Sequence, residues 1–237
     1  RMLMGLTSYY PIDRSAISYM PEIVEPTIEY PKYQNFNITK KINIVPCFMS
    51  YEQFSRYESK YAQEQRQSLN RKSMYEDSSF HYFAKTRQSC NIVYNQDITK
   101  EHTDDPTRLY EGMIEKENFS KNLINYSPKM YNIFLNMQKF INKSTGNPTG
   151  KILIYSDYKN LGGTDAFEQV LIANGYERYD DKANNIENLI KTDNRKKRYT
   201  FITGDAKENK EINKKAFNVE QNKEGEFIQV MMISKSG

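Results

Sequence analysis

The chain has 237 residues, enough for one large domain or two small ones, with 38% hydrophobic residues and a formal net charge of +4. The hydrophobic share lies below the ordinary globular level, so much of the chain must be surface, loop or partner-facing, although 19 Tyr and 12 Phe compensate by burying large areas. Two cysteines, Cys47 and Cys90, exclude a disulfide framework and fit a reducing, intracellular compartment; with only His81 and His102 beside them they build no zinc site. No run reaches the roughly 18 apolar residues of a membrane span, and Arg1-Met2-Leu3-Met4 is too short an apolar run for a secretory signal.

Residues 1–41 carry Pro11, Pro21, Pro26 and Pro31, with Pro46 just beyond, a spacing that forbids a long helix and predicts an extended connector. Its tyrosines (Tyr9, Tyr10, Tyr19, Tyr30, Tyr33) are read as packing on neighbours. Ile42-Asn43-Ile44-Val45 alternates like a strand and ends at Pro46. Ser50 then caps a helix from Tyr51 to about Gln67, whose stripe of Tyr51, Phe54, Tyr57 and Tyr61 is expected to face the core. Residues 66–90 interleave Arg66, Arg71, Lys72, Lys85 and Arg87 with Tyr75, Phe80, Tyr82 and Phe83. Such a mixture can hold a phosphate backbone and stack bases, or it can be a solvated loop leading into a buried aromatic segment. Residues 95–120, with Asp104-Asp105-Pro106, read as a surface loop.

From Pro128 the clearest helical period begins, with Met130, Ile133, Phe134, Met137, Phe140 and Ile141 on one face. Three short apolar runs follow: residues 151–155, 199–203 and 227–233. Each is rich in β-branched or aromatic residues and stops at small polar ones, so each predicts a strand. Between the first two lies a helix opened by Asp165 and Glu168 as a capping box and stopped by Gly175, then a polar excursion over 176–198 ending in Arg195-Lys196-Lys197-Arg198. That cluster is a solvated charge run or a phosphate contact. A helix over about 206–218 leads to the last strand. Strands alternating with helices predict a parallel sheet of α/β class, and ligands of such sheets bind at the carboxyl ends. The polar groups expected there are Ser156-Asp157, Gly204-Asp205 and Ser234-Lys235-Ser236-Gly237.

No complete catalytic set accompanies them. Gly146-Asn147-Pro148-Thr149-Gly150-Lys151 is not a phosphate loop: its glycines are one residue too close, Ile152 stands where Ser or Thr must hold magnesium, and it precedes a strand instead of following one. There is no Walker B pair, no Gly-x-Ser-x-Gly elbow and no metal triad; Gly162-Gly163 is too loose for a dinucleotide fingerprint. Asp157 and Asp205 sit at strand ends where acid/base chemistry is conceivable, but with nothing to pair them they are read as caps and turn residues.

At these residues the chain resembles the second RecA-like domain of superfamily 2 helicases, and within them the helicase-type ATPases of large nucleocytoplasmic DNA viruses, the poxvirus early-transcription-factor and nucleoside-triphosphate-phosphohydrolase group. Ile154-Tyr155-Ser156 resembles the strand of motif IV, Thr200-Phe201-Ile202-Thr203-Gly204 the following strand-plus-Gly element, and Met232-Ile233-Ser234-Lys235-Ser236-Gly237 the opening of motif V. Gly5-Leu6-Thr7-Ser8-Tyr9-Tyr10 with Met20-Pro21-Glu22 is similar to the connector between lobes. Ile44-Val45-Pro46 through Tyr57 is similar to the first strand and helix of the second lobe, and Phe83-Ala84-Lys85-Thr86-Arg87-Gln88-Ser89-Cys90-Asn91 to a segment recurring in the viral group.

The resemblance implies a connector over 1–41, the first strand and helix of a RecA-like lobe over 42–67, a mainly helical insertion over 68–145, and the rest of the lobe over 146–237. It implies nucleic-acid phosphate contacts from Ser156, Thr203, Gly204, Ser234 and Lys235, with Arg71, Lys72, Lys85, Arg87, Arg195 and Lys196 as further basic contacts. DNA or RNA, an upstream RecA-like ATPase lobe of the same protein and viral transcription machinery are the implied partners, in a viral factory of the host cytoplasm or in the virion. ATP and Mg2+ are implied for the complete protein and not for this stretch alone, because the Walker motifs belong to the first lobe and the arginine finger would follow Gly237. An Arg start and a stop inside motif V suggest a piece of a longer chain that does not hydrolyse ATP by itself. The alternatives are a non-catalytic nucleic-acid-binding or scaffold domain with a helicase-like fold, and a free-standing nucleotide-binding enzyme using Asp157 and Asp205.

Overall fold

The short apolar runs do become strands, and the sheet they form fixes everything else. The computed structural model describes residues 46–70, 84–95, 110, 113, 119–204 and 209–235. The chain divides into Arg1–Pro46 and Cys47–Gly237, and the architecture below belongs to the second unit. The connector and the strand expected at 42–45 lie outside the described residues.

The elements in chain order are helices α1 (Tyr51–Asn70), α2 (Ala84–Ser89), α3 (Phe119–Tyr126) and α4 (Pro128–Met137), strand β1 (Ile152–Ser156), α5 (Thr164–Ala173), β2 (Glu177–Arg178), α6 (Ile186–Lys191), β3 (Arg198–Ile202), α7 (Lys210–Asn218) and β4 (Val230–Ser234). The four strands form one sheet in the order β1-β4-β3-β2, and every pair is parallel. The fold is therefore of α/β class. β2 was hidden in the polar excursion: both its residues are exposed, so it carries no alternating pattern and is placed only by pairing with Arg198 and Tyr199 of β3. The last apolar run enters the sheet at Val230, because Phe227 and Ile228 turn into a separate apolar cluster.

Alternation sorts the sheet's side chains onto two faces. Ile152 and Ile154 of β1, Tyr199 and Phe201 of β3, and Val230 and Met232 of β4 pack in one cluster with Phe167, Val170 and Leu171 of α5 and Met130, Phe134 and Met137 of α4. The stretch expected as an insertion thus shares a core with the sheet, through Ile92, Tyr94, Leu123 and α4. Met231, Ile202 and Ile233 face the other way, toward Leu189 of α6 and Ala216 and Phe217 of α7. Full burial of a residue such as Leu171 contributes about 1.5–3 kcal/mol. The chain crosses from β1 to β2 past α5 on the first face, then returns through β3 to β4 past α6 and α7 on the second. Opposite directions through opposite faces give all the crossovers one hand, as parallel sheets require.

Several local readings need correction. The aromatic stripe of α1 is not core: Tyr51 is 88% exposed, and Phe54 and Tyr61 are exposed too. Tyr57 stacks on both Phe54 and Tyr61 along the helix surface, while α1 docks through the polar Gln53 and Glu64. Asp165 and Glu168 form no capping box. Helix α5 begins at Thr164, and its first N–H groups are taken by loop carbonyls, Thr164 N by Tyr158 O and Asp165 N by Lys159 O. Glu168 instead accepts from the Tyr199 hydroxyl. That loop is tightly wound, since a Cβ on Gly163 would lie 2.0 Å from Tyr158 O. Gly175 ends α5 as expected, with a left-handed φ of +79°. Ser50 caps α1 as expected, accepting from Gln53 N at 3.0 Å. Among the described residues no helix is long and apolar enough to cross a membrane.

Candidate nucleic-acid interface

Parallel pairing puts the carboxyl ends of all the strands on one edge. Ser156 of β1 is in register with Ser234 of β4, and Thr203-Gly204 follow β3 directly. The chain leaves β1 toward one face and β3 toward the other. The loops therefore part above β4, which is where an open α/β sheet forms its ligand crevice. Lys235 stands there, exposed, and so does Gly204 beside it on the β3 side. The hydroxyl residues are less accessible. Thr203 is 0% and Ser234 2% exposed, and Ser156, half-buried, accepts from Tyr158 N at 3.2 Å. An approaching phosphate meets Lys235 and the Gly204 backbone before it meets those hydroxyls.

The same edge receives α2. This helix has six residues, too few to be stable alone, and α1 holds both its ends. Glu64 accepts from Lys85 N and Thr86 N at 3.0 Å each and from the Thr86 hydroxyl at 2.6 Å, filling the helix's open N–H groups. At the other end Gln53 Nε2 donates to Ser89 O at 2.9 Å. Beyond α2, Asn91 Nδ2 donates to Gly162 O at 3.1 Å and so ties the segment to the loop between β1 and α5. So held, α2 delivers Arg87 to the end of β1. Its Nη2 lies 3.3 Å from Asp157 Oδ2, and its guanidinium lies 5.6 Å from the centre of the Tyr158 ring. Tyr155 donates its hydroxyl to the other Asp157 oxygen at 2.9 Å, a bond that holds its phenol above the ordinary pKa. Lys85 is exposed on the same helix.

The sequence-predicted set is thus only partly assembled. Arg87 joins the strand-end residues. Arg195 and Lys196 precede β3 and stand at the opposite, amino edge, where Arg195 pairs with Asp193 and Lys196 with Glu177. Arg198, the last of that basic run, is not solvated at all. It is buried, and it donates through Nη1 to Asn194 O and Phe227 O; burial lowers its pKa. Arg71, Lys72 and Asp205 lie outside the described residues. The pairing of Arg87 with Asp157 was missed because the two are 70 positions apart; the only signal was that each stood in a segment singled out for other reasons.

The arrangement offers little covalent chemistry. Asp157 is engaged by Arg87 and Tyr155. Burial raises the thiol pKa of both Cys47 and Cys90, which keeps them protonated. Asp165 is bound inside the fold, accepting from Leu161 N and from the Tyr110 hydroxyl. Among the described residues no group of three or more His, Cys, Asp or Glu could ligate a metal ion. No family model and no curated protein matches this chain.

Proposed function

We propose that this chain is the second RecA-like lobe of a nucleic-acid-dependent ATPase of the superfamily 2 helicase type, and that its carboxyl sheet edge grips the phosphodiester backbone. The observation that carries the reading is the meeting of Lys235 and Gly204 at the carboxyl edge of a parallel sheet, where they follow the adjacent strands β4 and β3. A lysine and an exposed glycine suit phosphates and carry no base code. The motif resemblance supplies the rest: a first lobe holds ATP, and closure of that lobe on this edge moves the strand. ATP and Mg2+ do not fit this chain's own residues, which include no phosphate loop and, where described, no metal-ligating cluster. No step of hydrolysis is assigned to it.

The reading is tested by fluorescence anisotropy with labelled single-stranded DNA and RNA across a salt series. Binding should weaken steeply as salt rises, and Lys235→Ala should reduce the log–log slope by about 0.7, the value of one single-strand phosphate contact. Salt-independent binding, or an unchanged slope in Lys235→Ala, would remove the edge from consideration.

A further inference from the structure

We propose that Arg87 is a phosphodiester-binding group whose ligand position is held in the free protein by the Asp157 carboxylate, an internal stand-in for phosphate. This rests on the nucleic-acid reading above and adds to it a contact residue and a built-in competitor.

The geometry is that of an oxyanion site already filled. One oxygen of Asp157 takes the Tyr155 hydroxyl from β1, and the other faces Arg87 Nη2 from α2. Two donors from two elements therefore converge on one anion at the carboxyl edge. The pair is a weak one by construction. It is a single 3.3 Å contact with side chains 52% and 47% exposed, and exposed ion pairs of this kind add little to stability. A planar guanidinium binds phosphate through two parallel N–H bonds, so a backbone phosphate offers Arg87 more than Asp157 gives it. The guanidinium is also prepositioned. Its helix is clamped by Glu64 and Gln53, and its Cζ lies over the Tyr158 ring. Lys235 stands one strand away, since Asp157 follows Ser156 as Lys235 follows Ser234 in the paired register. A strand bound at Lys235 therefore brings a phosphate to this pair, and Asp157 must yield to it.

The test compares wild type, Arg87→Ala, Asp157→Asn and the double variant by anisotropy with labelled oligothymidylate and, in a second arm, oligouridylate, over about 50–200 mM salt. Arg87→Ala should cut the slope by about 0.7 in whichever arm binds, and Arg87→Lys should keep the slope while weakening binding. Asp157→Asn should tighten binding roughly threefold, and most of that gain should vanish when Arg87 is already Ala. An equal gain with and without Arg87 would reduce Asp157 to a general field effect and overturn the proposal. So would an unchanged slope in Arg87→Ala. Those outcomes leave the interface reading standing; failure of the wild type to bind either oligonucleotide at low salt sinks both.

Discussion

Asn222 is the polar residue on which the start of β4 depends, and replacing it with alanine should be among the most damaging single changes in the molecule. Its side chain is fully buried between α7 and β4. Its amide donates to Phe217 O and Ile228 O at 3.0 Å each and accepts from Phe227 N and Ile228 N at 2.9 Å each. Every hydrogen-bonding site that chemistry gives the amide is used on backbone. Asn222→Ala strands two N–H groups and the Ile228 carbonyl in a water-poor site, and leaves Phe217 O with only its bond from Lys151 Nζ. At about 1 kcal/mol for each lost bond, the cost is about 4 kcal/mol, in the range that only a few mechanisms reach. Urea denaturation followed by circular dichroism should show the midpoint falling by about 2 M, for an m-value of about 2 kcal/mol/M. Asn188→Ala is the control: its amide bonds Asn184 at the surface, so its midpoint should hold. A loss below about 1 kcal/mol for Asn222→Ala would mean that water or other groups satisfy the backbone, and that the amide does not hold the loop into β4.

Two other buried polar groups give further predictions. The Thr200 hydroxyl, on the central strand β3, is buried without a hydrogen-bond partner; Thr200→Val should raise stability by about 1 kcal/mol in the same urea assay, because it removes a desolvated group and keeps the shape. Burial raises the Asp165 pKa above 3.8, so the folded state holds this proton more tightly than the unfolded one. The stabilising share is full below 3.8 and is lost as pH rises through the raised value. Relative to Asp165→Asn, the wild type should therefore gain stability as pH is lowered from neutral toward 3.8, and thermal melts of the two across that window should diverge in that sense.

The sequence showed the sheet because its strands are short, β-branched and stopped by small polar residues, and because helical spacing separates them. It could not show β2, whose two exposed residues carry no pattern. It misjudged α1 for a general reason: period identifies one distinct face but not which neighbour covers it, and here Gln53 and Glu64 make the contact instead of the aromatics. Buried polar residues are the other blind spot. Asn222, Gln229 and Arg198 read as surface by type, yet each is enclosed and bonded to backbone. At the candidate interface, the strand-end residues were legible because the topology of a parallel sheet places them together. Arg87 was legible only as one of several basic residues; its place beside Asp157 was not, because that depends on α1 clamping a short helix across the end of β1.

The measurement that bears most directly on the interface is amide hydrogen exchange on the chain with and without a bound single-stranded oligonucleotide. New protection is expected along the carboxyl edge, at Asp157–Lys159, Thr203–Gly204 and Ser234–Lys235, with the amino edge at Asp193–Lys197 unchanged. Protection confined to Asp193–Lys197, or bound oligonucleotide with no change at the strand ends, would contradict the proposed interface.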